Sequence, residues 1–215
     1  ISVKTVIMTV IMISALTLFA CGRQNENRNP KANTAGFSNT ETQTLTGPPS
    51  ATARKQAGKK EDQTVPETDI HTAIMKNEIS TVKKYIADQS DLNKKETYGG
   101  STPLIIAALF NRIEIAKLLI GAGAKLNIQN NDGSTALITA AFFCRTEIVQ
   151  LLLSEQADKE IKNKYGQTAY DAVSAPFKEV KPVYDMIGSA LAPMGLKLDY
   201  GYIEKTRPAI AAILK

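Results

Sequence analysis

The 215-residue chain has little of what catalytic and metal sites are usually made from. It holds one histidine (His71), two cysteines (Cys21 and Cys144) and no tryptophan. Two thiols cannot staple a disulfide scaffold or complete a four-thiolate zinc site, and one imidazole supplies no His-based ligand set or proton relay. No H-E-x-x-H, G-x-S-x-G or Walker-type glycine-lysine run is present, so no zinc peptidase, serine hydrolase or nucleotide loop is written here. Asp69, His71 and Glu78 form the one local titratable cluster, and helix-surface charge accounts for them. The expectation is therefore no enzyme, no catalytic residues, no cofactor and no metal. A 43% apolar content is ordinary for a globular chain, and the length suits one domain with a tail.

Long apolar runs are equally scarce. One occurs, Val6 to Ala20, preceded by Lys4. Fifteen residues fall short of the roughly twenty that span a bilayer and suit the apolar core of a secretory signal peptide. The run ends Leu18-Phe19-Ala20-Cys21. That quartet resembles the lipobox of bacterial lipoproteins, with Phe19 where a small residue is more usual. The resemblance implies acylation of Cys21, removal of residues 1–20 and a lipid anchor in the bacterial envelope, facing the periplasm. Gly22 is not the Asp that signals inner-membrane retention in enteric-type systems, so outer membrane is favoured over inner.

From Gly22 to Pro66 the composition shifts. These 45 residues include 18 Asn, Gln, Ser or Thr, and Phe37, Leu45 and Val65 are the large apolar side chains. Such a stretch cannot bury enough surface to offset its ordering entropy and reads as a disordered tether. Its r.m.s. span would be about 35–40 Å. It carries seven Lys or Arg against four acids, whereas residues 67–215 come out at +1. Most of the chain's net charge of +5 thus belongs to the tether and signal, and no basic patch interleaved with aromatics marks a nucleic-acid site.

Beyond residue 66 the sequence repeats. Gly100-Ser101-Thr102-Pro103-Leu104 recurs as Gly133-Ser134-Thr135-Ala136-Leu137 and as Gly166-Gln167-Thr168-Ala169-Tyr170. Ala107-Ala108 aligns with Ala140-Ala141, and Glu114-Ile115-Ala116-Lys117-Leu118-Leu119 with Glu147-Ile148-Val149-Gln150-Leu151-Leu152. Each threonine stands where a helix N-cap belongs, with Pro103 at a first helical position where its missing N–H costs nothing. A second helix follows, apolar at i, i+3, i+4 (Ile115, Leu118, Leu119; Ile148, Leu151, Leu152). Gly121 and Gly123 would end it in left-handed backbone; Ser154 and Gln156 replace them one unit later, which predicts strain there. One such unit cannot bury its own apolar face, and stacking supplies the core.

A 33-residue period with these landmarks resembles the ankyrin repeat. The resemblance implies an all-α fold: a short solenoid of helix–turn–helix repeats with hairpin tips, following the signal segment and linker. The repeats fall at 67–96, 97–129, 130–162 and 163–192, the outer two atypical, the last because Pro176 and Pro182 interrupt it. It also implies a protein-binding function, with the partner docking on the tips and the concave face of the first helices. The residues expected to carry it are Tyr98, Ser101, Asn131, Asp132, Ser134, Tyr165 and Gln167 at the tips. Leu109, Phe110, Phe142 and Phe143 are expected as an apolar patch beside them. Cys144 takes the place of an inter-helix glycine and reads as a free thiol. His71 reads as a helix-terminus hydrogen-bonding group. After Pro193, Leu196, Leu198, Tyr200 and Tyr202 alternate as in a strand, and Thr206-Arg207-Pro208 opens a short helix that would close the core. The chain is expected to act as a monomer with another protein as partner and no nucleic acid. The alternative role is a neutralising or protective binder of a toxin or periplasmic enzyme.

Overall fold

A computed structural model describes residues 68–215, which build an all-α, ankyrin-type stack. The signal run, Cys21 and the tether lie outside the described residues. Helices α1 (Ile70–Met75) and α2 (Ile79–Ala87) form the first pair, α3 (Pro103–Leu109) and α4 (Ile113–Gly121) the second, α5 (Ala136–Phe142) and α6 (Thr146–Ser154) the third. Helix α7 (Ala169–Ser174) opens the fourth. It is followed by α8 (Phe177–Leu191), a 3-10 turn (Ala192–Met194) and α9 (Tyr200–Leu214).

Local chemistry sets the starts. The Thr102, Thr135 and Thr168 side chains accept from the N–H groups of Ile105, Ile138 and Asp171, and Asp171 returns a bond to the Thr168 N–H. Small residues allow the first helices to stack α1 on α3 on α5 on α7: Ala73, Ala107, Ala108, Ala140, Ala141 and Ala169 are fully buried. In the second helices the buried stripe is Ile115, Ala116 and Leu119, then Ile148, Val149 and Leu152. Leu118 and Leu151, expected in that stripe, sit half-buried at its edge.

The turns obey one register. Asn77, Asn111 and Cys144 carry φ of 60°, 55° and 54° between the two helices of a pair, and Gln89, Gly123 and Gln156 carry 53°, 86° and 63° after the second. Gly121 stays helical, as the last residue of α4, so Gly123 alone makes the left-handed turn. Non-glycine residues there lose roughly 1–2 kcal/mol to Cβ sterics.

The fourth pair departs from the pattern. Ala175 is extended (ψ 146°) because a residue preceding proline is pushed out of the helical region, and Pro176 (ψ 136°) follows as the N-cap residue of α8. No left-handed turn follows α7, and α8 leaves the stack. The position a second helix would take is filled by α9, which packs on α7 and runs alongside α6 in the same direction. Tyr202 Oη lies 3.1 Å from Thr146 Oγ1 at the start of α6, and Lys159 Nζ donates to the Leu214 and Lys215 carbonyls beyond its end. Helix α9 buries Ile203, Arg207, Ile210 and Leu214, each of the aliphatic side chains contributing about 1.5–3 kcal/mol. Residues 176–199 are thus spliced between the two helices of the last pair.

Two expectations are corrected here. The alternation Leu196 to Tyr202 is not a strand: Asp199 caps α9 by accepting from Tyr202 N–H, so Tyr200 and Tyr202 are helical. Nor do Pro182 and Pro208 mark helix boundaries: Pro182 lies inside α8, and α9 opens at Tyr200, so Thr206-Arg207-Pro208 falls within it instead of opening a short helix. Each sits on a solvent-facing turn of α8 or α9, where water can solvate the carbonyl that loses its donor.

Candidate functional site

The first helices end on a row of carbonyls in matched register: Met75, Leu109, Phe142 and Ala175. Each would be an orphan acceptor at a helix C-terminus. Arg112, where α4 begins, donates to the Ile74 and Met75 carbonyls, and Arg145, where α6 begins, donates to Leu109. The next arginine in register is replaced by Lys178, and the Tyr184 hydroxyl of α8 donates to the Phe142 carbonyl instead. Arg207 of α9 closes the row, with bonds to the Ala175 carbonyl (2.8 Å from Nη2, 3.2 Å from Nε), to Ala172 and to Tyr184 Oη (2.7 Å). The guanidiniums of Arg112, Arg145 and Arg207 lie 6.0, 5.9 and 6.0 Å from the ring centroids of Phe110, Phe143 and Tyr184. Burial lowers the Arg145 pKa and raises those of Tyr184 and Cys144, the thiol to about 11.

The tips form a second ladder. Asn130 Oδ1 accepts from Asp132 and Ser134 N–H, and Asn163 Oδ1 from Tyr165 and Gln167 N–H. The first tip is one residue longer, and the longer Glu96 side chain takes the same part, accepting from Tyr98 and Ser101 N–H. Tips are tied by Asn131 N–H to the Gly99 carbonyl and Lys164 N–H to the Asp132 carbonyl. His71 anchors the edge of this row: its Nε2 lies 2.9 Å from the Lys94 carbonyl and its Nδ1 3.1 Å from the Asp69 carboxylate.

Between the tips, the first helices and α8 lies a cavity of about 700 Å³. It gathers ten of the eleven residues expected from sequence: Tyr98, Ser101, Leu109, Phe110, Asp132, Ser134, Phe142, Phe143, Tyr165 and Gln167. Asn131 is not among them. Its side chain donates to the Tyr98 carbonyl and packs over Gly100, where an added Cβ would lie 2.3 Å from Asn131 Oδ1. Phe110 and Phe143 border the cavity but are each 6% exposed, their rings serving as platforms for Arg112 and Arg145. Leu109 and Phe142 are half-buried, and Tyr98 is 40% exposed. The Tyr165 phenol pKa is raised by partial burial and by the Asp132 carboxylate.

Sequence reasoning missed the other side of the cavity. Val180, Ile187, Leu191 and Met194 line it from α8 and its following turn. Their spacing with Tyr184 (i, i+4, i+7, i+11) was the available signal for an amphipathic helix. The arginine row was also missed, although Asn111-Arg112 and Cys144-Arg145 repeat in register. Among the described residues, no group of three or more His, Cys, Asp or Glu is placed to hold a metal, and no helix is long and apolar enough to cross a membrane.

Stacked helix pairs with hydrogen-bonded tips make an ankyrin-type repeat stack over part of the chain, and such repeats indicate a protein–protein interaction module. Residues 70–163 match the family model described as Ankyrin repeats (3 copies). Inversin of Gallus gallus is similar to this chain at 38% identity over 60 residues, which is 28% of the chain. The match spans 5% of Inversin's own length.

Proposed function

We propose that the chain is a lipid-anchored interaction module of the bacterial envelope, holding a partner protein in the cavity between its tips and first helices. The carrying observation is that one cavity gathers Tyr98, Leu109, Asp132, Phe142 and Tyr165, residues from three successive repeats. An apolar floor supplies affinity and a polar rim supplies orientation, the usual division in a docking surface. The anchor rests on the Leu18-Phe19-Ala20-Cys21 quartet, and the tether lets the module search space beside a membrane.

Two experiments test the two parts. A photo-crosslinking residue at Tyr98 or Tyr165, on cells producing the full chain, should capture a discrete adduct. The same residue at Lys117, on the outer side of α4, should not; equal adducts from all three positions would refute the docking face. Metabolic labelling with a palmitate analogue should mark the wild-type chain and not Cys21→Ala, and label retained in the variant would refute the anchor.

A further inference from the structure

Helix α8 is an intramolecular guest on the face just described. Tyr184 stacks on Phe142 at 4.7 Å, Phe177 stacks on Tyr184 at 5.9 Å, and the Tyr184 hydroxyl reaches the Phe142 carbonyl. The chain itself therefore shows what this surface accepts: a helix apolar at i, i+4, i+7 and i+11. Over α3 the lining continues through the buried Ile105 and Ile106 and the half-buried Leu109. From α8, Ile187, Ala190 and Leu191 line the same cavity. A guest in this space meets apolar surface on two adjacent sides and the polar tips on a third.

From this we infer that the slot between α8 and the tips receives a second amphipathic helix, supplied by the partner, and that α8 is a wall of the binding site. The inference rests on the docking reading above. An extended peptide suits the slot poorly, because its own N–H and C=O groups would need acceptors and donors. Three of the polar side chains on the lining are already engaged, since Glu96, Asn130 and Asn163 each accept two backbone N–H bonds inside their own tips. A helix satisfies its backbone internally and brings only side chains. Two-sided apolar contact requires a wide apolar arc on that helix. Its third face meets a lining that carries Asp69, Glu96, Asp132 and Asp171 against Lys94 and Lys95, an acidic excess that favours Lys or Arg there.

The test uses the full chain and three probes. One is a labelled peptide of about 18 residues with leucines at helical spacing and lysines between. The second has the same composition with leucines alternating, and the third is a labelled fatty acid. The helical probe should bind saturably, gain helicity by circular dichroism, and bind at least about tenfold more tightly than the alternating one. Leu109→Arg on the floor and Ala190→Arg on the α8 wall, both at half-buried positions, should each weaken it by about tenfold or more, with thermal midpoints unchanged. Loss with Leu109→Arg but none with Ala190→Arg would overturn the α8 wall while leaving the docking face standing. Equal binding of the alternating probe, preference for the fatty acid, or no saturable binding of the helical probe would overturn the helix assignment. Rim crosslinking that persists in any of these cases separates this failure from failure of the docking reading.

Discussion

Arg207→Met should lower stability by about 3 kcal/mol. The guanidinium is 3% exposed, and its hydrogen bonds run to neutral oxygens: the Ala172 and Ala175 carbonyls and Tyr184 Oη. Removing it strands acceptors at the C-terminus of α7, at about 1–3 kcal/mol for each buried group left unpaired. It also forfeits the favourable interaction of a cation with a helix C-terminus, about 0.3–2 kcal/mol. Relief from holding a charge out of water offsets part of this, and methionine keeps much of the packing volume. At roughly 3 °C per kcal/mol for a folded part of this size, the thermal midpoint should fall by about 10 °C. Arg207→Lys should lose about half as much, since a single ammonium cannot span α7 and Tyr184 together. Because each pair in a stack depends on its neighbours, amide exchange should accelerate across residues 168–215 while α1 to α4 stay protected. Urea unfolding and exchange mass spectrometry give both readings. A loss below about 0.5 kcal/mol, or acceleration spread evenly over the stack, would refute the reasoning.

Other outcomes follow from the turns. Gly133→Ala should cost about 2–3 kcal/mol, because φ is +76° and the new Cβ would lie 2.8 Å from the Lys164 nitrogen. Gly166→Ala, at φ +73° with open space around it, should cost only about 1–2 kcal/mol; equal losses in urea midpoints would show that the tips are not in close approach. Gln156→Gly should stabilise by about 0.5–1 kcal/mol, since φ is +63° and the side chain is exposed; a lowered thermal midpoint would count against left-handed strain. Cys144 is buried and its thiol is pushed up to about 11, so in a Cys21→Ser background a disulfide reagent at pH 8 should label the native chain at least about a hundredfold more slowly than the unfolded one. Keeping that thiol neutral contributes stability that is intact below the ordinary value of 9.0 and lost as pH rises through about 11. Cys144→Ala should flatten the decline in urea midpoint over that range.

The stack was legible because its signals are local and recur: a threonine cap, an alanine pair and a glycine at fixed spacing each have one physical role per repeat. The tip positions recur for the same reason, and six of the seven named at the tips line one cavity. What stayed hidden depends on contacts between distant segments. Nothing local in Leu196 to Tyr202 distinguishes alternation from the approach to a capped helix until Asp199 is seen bonding Tyr202. Phe110 and Phe143 are packed by arginines two residues on, whose heads are fixed by carbonyls 36 to 38 positions away, and Phe143 also by Phe142 and Tyr184. Arg207 lies outside the repeat register altogether, so periodicity had no reason to single it out.

The carbonyl row gives assembly of the stack a direction. Arg112 finishes the first helix of the preceding repeat, Arg145 does so for the next, and Tyr184 for the one after. Each repeat therefore leaves a debt that only its successor settles. A chain emerging from a ribosome would hold every newly made first helix with its end uncapped until about one more repeat had appeared. The third of them waits longest, because the Phe142 carbonyl is met by Tyr184, 42 positions on, whereas Arg207 follows Ala175 by 32.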